Sequence, residues 1–153
     1  MDQITLQRIE KLHPSVRQEV KKIIEECNKV LTAHSEVRIT QGLRTNEEQA
    51  ALYLKRPKVT NAKAGQSIHN YGFAVDIVLL IDGKVVSYDM EKDYDKDGAA
   101  DWNEVVKVFV ANNWNWGGNW KTFKDFPHFE KFGFNNWKTL SKKKKDGNGY
   151  VIL

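Results

Sequence analysis

Apolar residues recur at helical spacing through the first third of the chain and at strand spacing through much of the remainder. Ile4, Leu6, Ile9 and Leu12 mark a short helix over residues 3–12. His13-Pro14 interrupts it, and Pro14 suits the first turn of a second helix, where a missing N–H costs nothing. That helix is predicted to run to about Thr32, with Val16, Val20, Ile23, Ile24, Cys27, Val30 and Leu31 as its apolar stripe. Val37 to Gln41 reads as a short strand, and Thr45-Asn46-Glu47-Glu48 has the capping-box spacing that opens a third helix, through Tyr53 or Leu54. A polar segment with Pro57 and Gly65 leads to Phe73–Leu80, a central strand, and Asp82-Gly83 then turns the chain into a partner strand at Lys84–Ser87. Trp102–Asn112 is helical, with Val105, Val106, Phe109 and Val110 on one face, and short strands follow near Asn113–Trp116 and His128–Lys131. Helices come first and antiparallel strands follow, which makes the class α+β.

A length of 153 residues suits one domain. We expect a single domain over residues 1–140 and a basic tail over 141–153, with no repeat and no interdomain linker. Cys27 is the sole cysteine, so no disulfide forms within the chain, as suits folding in a reducing cytoplasm. The most apolar stretch, Phe73 to Ile81, has nine residues including Asp76, far short of the roughly twenty a membrane helix needs. Met1-Asp2-Gln3-Ile4 lacks the basic and apolar regions of a signal peptide, so a soluble monomer is expected. The formal charge of +4 is unevenly placed: residues 89–104 hold seven acids against two lysines, a net −5, which leaves +9 elsewhere. Lys142–Lys145 make a solvated tail, and with no nucleic-acid module in sight no stable nucleic-acid complex is expected. The acidic segment raises the sharper question of what neutralises it.

Asp76 interrupts a strand that is otherwise apolar on both faces. An ionised carboxylate there must be paired, by a salt bridge or a strand-end hydrogen bond, or else bind a metal. His69 lies seven residues upstream, after which Gly72 permits a tight backbone path and Ala74 close packing. In Asp125-Phe126-Pro127-His128-Phe129-Glu130, a histidine sits on a strand, and the period of two puts His128 and Glu130 on one face. His69, Asp76 and His128 would give a zinc ion three N/O ligands and leave a position open, the pattern of catalytic zinc. His13 and His34 lack such surroundings and read as surface or capping residues. A Ser/His/Asp triad is disfavoured because no G-x-S-x-G elbow occurs.

Ser67-x-His69-x-x-Gly72-x-Ala74-x-Asp76 followed by Asp125-x-x-His128 resembles the VanY-type family of zinc peptidoglycan peptidases, over roughly residues 36–132. That family includes D-alanyl-D-alanine carboxypeptidases, related dipeptidases and phage L-alanyl-D-glutamate endolysins. The resemblance implies a hedgehog- and D,D-peptidase-like fold, with helices packed on a small antiparallel sheet that carries the zinc site. It implies that His69, Asp76 and His128 bind zinc, that Asp125 is the general base, and that Arg44, in Gln41-Gly42-Leu43-Arg44-Thr45, polarises the scissile carbonyl. Many relatives carry Glu at the base position; the shorter Asp125 resembles the endolysin branch. Zinc chemistry of this kind activates a water and polarises a carbonyl. Arg44 has the alternative of a capping or salt-bridge role at the following helix, and Ser67 orients either His69 or the substrate.

Asp93-Tyr94-Asp95-Lys96-Asp97-Gly98, then five residues to Glu104, matches the calcium-loop pattern at every fixed position. Asp93, Asp95 and Asp97 would wrap a hard cation, with the Ala99 carbonyl, Asp101 through a water, and both oxygens of Glu104 completing the shell. Its alternative is an acidic surface loop without metal. A single loop entered from a strand resembles the calcium-regulated phage endolysins rather than a paired EF-hand protein. Trp114-x-Trp116-Gly117-Gly118-Asn119-Trp120 packs a strand pair or walls a substrate groove, the glycines then admitting a peptide stem. Gln41, Ser67 and Trp116 are the expected substrate contacts. The expectation is a zinc endopeptidase, regulated by calcium, that cuts the L-alanyl–D-glutamate bond of peptidoglycan during phage-induced lysis. It would accumulate in the host cytoplasm and reach the wall through a holin-type lesion. A D-alanyl-D-alanine carboxypeptidase is the close alternative, and a non-catalytic calcium- or wall-binding module the distant one.

Overall fold

The computed structural model describes residues 1–32 and 34–153. Asp2 opens the first helix, α1 (Gln3–Ile9), by accepting the Thr5 amide at 3.1 Å. The inward face is set by Thr5 and Ile9, while Ile4 is exposed. Thr5 explains the departure from the apolar template: its hydroxyl accepts the Ile39 amide at 3.1 Å and ties the helix to the first strand through a polar contact. Pro14 starts one 3-10 turn (Pro14–Val16), which runs into α2 (Arg17–Val30). Val20, Ile23, Ile24 and Cys27 form its buried stripe; Val30 is exposed, and Leu31, just past the helix, is buried instead.

Five antiparallel strands make the sheet: β1 (Ser35–Gln41), β2 (Ala74–Ile81), β3 (Val85–Ser87), β4 (Trp114–Trp116) and β5 (His128–Lys131). Their order is β1-β2-β5-β4, with β3 also on β2. β1 lines one edge of β2 from Ser35 opposite Ile81 to Gln41 opposite Asp76. The other edge is divided: Ala74–Asp76 pair with β5 and Leu79–Ile81 pair with β3. Asp82 and Gly83 both take positive φ in the turn between β2 and β3, the conformation the Asp-Gly pair predicts. α1 and α2 pack on β1, and α4 (Asp101–Ala111) packs between α2 and β4, burying Trp102, Val105 and Phe109. α3 (Asn46–Leu54) begins with the expected capping box, Thr45 and Glu48 each bonding the other's amide.

The C-terminal segment departs from expectation. A further helix, α5 (Trp137–Ser141), starts where the Asn136 side chain accepts the Lys138 and Thr139 amides. Residues 141–153 do not form a free basic tail. Lys145 pairs with Val151, Val151 is buried, and the Tyr150 hydroxyl donates to the Lys11 carbonyl at 3.0 Å. Lys142, Lys144 and Lys145 stay in solvent while Tyr150 and Val151 anchor the hairpin, so a charge count alone misreads the segment. His13 is part of that anchor: it caps the Pro14–Val16 turn, stacks on Phe73 at 4.5 Å and bonds the Val151 carbonyl through Nε2 at 2.8 Å. His34 is exposed beside Asp82.

Candidate metal centre and active-site cleft

Strand register brings the first two site residues together, because Asp76 on β2 lies directly opposite His128 on β5. His69 comes from the 3-10 turn Ile68–Tyr71, whose first amides are held by the Ser67 hydroxyl, which accepts the His69 amide at 3.3 Å. Gly72 ends that turn at φ +77°, and a Cβ there would run into the His13 amide. The result is a compact triad: His69 Nε2 is 3.2 Å from Asp76 Oδ1 and 3.2 Å from His128 Nδ1, and His128 Nδ1 is 3.0 Å from Asp76 Oδ1.

The outer nitrogens of both rings are engaged by acceptors. His69 Nδ1 is 2.8 Å from the Gly42 carbonyl oxygen, and His128 Nε2 is 2.9 Å from Glu130 Oε1. A carbonyl has no proton to give, so the network assigns the His69 proton to Nδ1 and leaves Nε2 as a lone pair facing Asp76. Glu130 does the same for His128, freeing Nδ1. Two lone-pair nitrogens and one carboxylate oxygen converge on one point, and that donor set fits a zinc ion. Burial works to raise the Asp76 carboxyl, but hydrogen bonds and charge from His128 and His69 outweigh it and hold the group well below the usual range. His128 is lowered by burial and raised more strongly by Asp76 and Glu130, which bring it up to about 9.

Asp125 and Arg44 stand in the same cleft, which has a volume of about 640 Å³. The Asp125 amide donates to the Gly117 carbonyl at 3.1 Å, and its own carbonyl accepts the His128 amide at 3.2 Å. Burial and then the Asp76 charge push its carboxyl up, with His128, His69 and Arg44 opposing. The Arg44 amide donates to the His69 carbonyl at 3.0 Å, and a terminal guanidinium nitrogen donates to Gln49 Oε1 at 2.9 Å. Gln49 is fully buried and fixed by donation to the Ala62 carbonyl at 2.8 Å. Burial lowers the guanidinium from its usual value, against Asp76, Glu48 and Asp125, and Arg44 Nε has no hydrogen-bond partner among the described residues. The capping role open to Arg44 belongs to Thr45 instead.

Ser67 lines this cleft; two other expected contacts do not. Gln41 pairs with Asp76 through the backbone, but its side chain turns to the Leu43 carbonyl in an adjoining groove that shares Arg44 and Leu52 with the cleft. Trp116 is held away by donation from its indole to the Phe126 carbonyl at 2.7 Å. The cleft tryptophans are Trp120, 5.1 Å from the His128 ring, and Trp137 at the start of α5. Gly117 and Gly118 are needed by the protein's own packing: a Cβ on Gly117 would run into the Asp125 carbonyl, and one on Gly118 into the Trp116 ring. Gly117 is what allows the Asp125 backbone to approach so closely.

The acidic loop places Asp93, Asp95 and Asp101 in one group of nearby carboxylates and Asp95, Asp97 and Glu104 in another. Gly98 turns at φ +95°, its amide bonded to Asp93 at 2.9 Å, and the Ala99 amide donates to Asp97 at 2.8 Å. Asp101 belongs to the first of these groups and also bonds the protein itself. It is fully buried, with one oxygen accepting the Tyr94 amide at 3.0 Å and the other the Ser35 hydroxyl, so it clamps the loop to β1. Glu104 Oε2 is buried without a hydrogen-bond partner among the described residues, and burial followed by the Asp97 and Asp95 charges pushes its carboxyl up to about 7.

Comparison with known proteins agrees with this geometry. The family model described as D-alanyl-D-alanine carboxypeptidase matches residues 60–131, a span that contains His69, Asp76, Asp125 and His128. The peptidoglycan L-alanyl-D-glutamate endopeptidase CwlK of Bacillus subtilis (strain 168) is 41% identical over 126 residues, covering 78% of this chain and 72% of its own. The crystal structure of the Serratia marcescens L-Ala D-Glu endopeptidase ChiX superposes with a TM-score of 0.62 at 21% identity, over 86% of this chain and 88% of that one, and shares the fold.

Proposed function

Because the chain belongs to the D-alanyl-D-alanine carboxypeptidase family of metallopeptidases, which is zinc-dependent, we propose that it is an endopeptidase hydrolysing the L-alanyl–D-glutamate bond of the peptidoglycan stem. The observation that carries this reading is the convergence of His69 Nε2, Asp76 Oδ1 and His128 Nδ1 within 3.2 Å, in one cleft with Asp125 and Arg44. The 41% identity to CwlK supports the choice of bond. His69, Asp76 and His128 would hold the zinc, with Gly42 and Glu130 fixing the two rings. Zinc so held supplies Lewis acidity toward a water and a carbonyl oxygen. Asp125, whose carboxyl is raised by burial and by the Asp76 charge, would accept the proton of the attacking water and return it to the leaving amine. Arg44 directs positive charge at the carbonyl oxygen as it becomes negative. Intact catalytic groups speak against a non-catalytic wall-binding module.

Digestion of purified murein by the zinc-loaded protein, analysed by mass spectrometry, tests the reading. New N-terminal D-glutamate is the expected product; release of free D-alanine would reassign the chain to the carboxypeptidases. Repeating the digest with a chelator that removes calcium and spares zinc tests regulation, which fails if the rate does not change. The short base Asp125 and the acidic loop support a setting in phage lysis, with synthesis in the host cytoplasm and release through a holin-type lesion.

The proposal includes calcium on Asp93, Asp95, Asp97 and Glu104, and Glu104 makes it testable through pH. Its carboxyl, pushed from 4.5 to about 7, gives the cation-free folded state more bound protons than the unfolded state in that window. Stability without calcium therefore falls as pH rises through the window. A divalent cation offsets the carboxylate repulsion, so added calcium should raise Tm more at about pH 8 than at about pH 5.5. No calcium-dependent shift in Tm at the higher pH would remove calcium from the proposal.

A further inference from the structure

Past Asp125 and Trp120 the cleft continues into a second pocket of about 490 Å³. Val59, Thr60 and Asn61, from the loop after α3, line it together with Trp120 and Phe123, from the loop after β4. Phe123 is 81% exposed and is held at φ +52°, and Val59 is 62% exposed. Neither contributes to the core, yet both sit at the mouth of a catalytic cleft. Aromatic faces beside a hydroxyl and a carboxamide suit a pyranose: the rings cover its C–H face, and Thr60 and Asn61 can bond its hydroxyl or N-acetyl groups.

A second extension differs in chemistry. The groove that adjoins the cleft through Arg44 and Leu52 is lined by Arg8, Lys11 and Lys55 against one acid, Glu48, and it shares no lining residue with the aromatic pocket. The murein stem has the same asymmetry. Its L-alanine is joined to the lactyl group of an amino-sugar, so the sugar precedes the cut bond by one residue, whereas the stem's carboxylates follow the cut. An extended residue spans about 3.3–3.6 Å, which places the sugar within reach of a pocket bordered by Asp125.

We propose that the pocket formed by Val59, Thr60, Asn61, Trp120 and Phe123 is a saccharide subsite that holds the amino-sugar bearing the stem's L-alanine. It thereby fixes the direction in which the stem crosses the cleft. The inference rests on the proposed bond specificity, and its test separates the two. Two substrates are compared: the free stem peptide, and the same peptide on N-acetylmuramic acid. The sugar-bearing substrate should show kcat/KM higher by roughly tenfold. Phe123→Ser should bring that ratio close to one and Phe123→Tyr should preserve it, both variants melting with the parent because the side chain lies in solvent. Equal rates on the two substrates, faster cleavage of the free peptide, or a ratio indifferent to Phe123→Ser overturns the subsite and leaves the endopeptidase reading standing. Failure to cleave either substrate overturns both.

Discussion

Replacing Asp125 by alanine should lower hydrolysis of the stem peptide by about 10²–10⁴-fold while the protein still binds one zinc. The two halves of this expectation come from different parts of the geometry. Metal retention follows because Asp125 is not one of the three convergent atoms; those belong to His69, Asp76 and His128. Loss of turnover follows from the carboxyl's surroundings. Burial and the Asp76 charge raise it, which suits a group that must accept a proton and then release it in the same cycle. Its placement is also strict, since the amide is bonded to Gly117 and the carbonyl receives the His128 amide. Asp125→Asn keeps the shape and the neutral hydrogen bonds and should be nearly as inactive, which separates proton transfer from packing. Metal content by elemental analysis beside kcat is the measurement. Full activity in either variant would eliminate Asp125 as the base, and loss of zinc would make it a support of the metal site instead.

The elements that hold these residues were largely legible in the sequence, and the reason is local. The apolar run through Asp76, the Asp-Gly turn and the capping box at Thr45 each specify conformation within a few residues, and each has its counterpart in the fold. Spacing pointed to His69, Asp76 and His128 as one site, and the family motif added Asp125; in the fold a strand and the turn before it carry the first pair, and one short turn joins Asp125 to His128. What local pattern misses is the other end of a long-range bond. Gln49 looks like any polar helix residue, yet it is buried to hold Arg44. Glu130 shares a face with His128 by period two, but only the fold makes it that ring's partner. Trp116 and Trp120 differ by four residues in one aromatic cluster, and the Phe126 carbonyl decides which turns away from the cleft. Asp101 matched its motif by spacing, while the Ser35 hydroxyl, distant in sequence, takes up one of its oxygens. In the C-terminal segment a run of like charges hid two residues, Tyr150 and Val151, that do the anchoring.

Arg44→Ala should cost about 10²–10³-fold in kcat, with zinc content unchanged and a smaller effect on KM. Two features of Arg44 point to charge developing in the transition state rather than to packing. Its Nε is buried with no hydrogen-bond partner among the described residues, and a buried donor left unpaired costs about 1–3 kcal/mol unless a bound group takes it up. Burial also depresses its guanidinium, so the charge is kept in a partly desolvated place, where it acts more strongly on a nearby oxyanion than it would in water. Gln49 holds one terminal nitrogen and the backbone is bonded to His69, so the fork is oriented before substrate arrives. Lysine supplies a point charge without the planar fork, so Arg44→Lys should recover only part of the loss. The competing explanation is that Arg44 merely ties α3 to the His69 turn. In that case Arg44→Ala would lower Tm and raise KM while kcat held, and Gln49→Ala would match it. A fall in kcat that Gln49→Ala reproduces only weakly assigns the guanidinium to the carbonyl oxygen, because loss of the tether alone leaves the charge in the cleft.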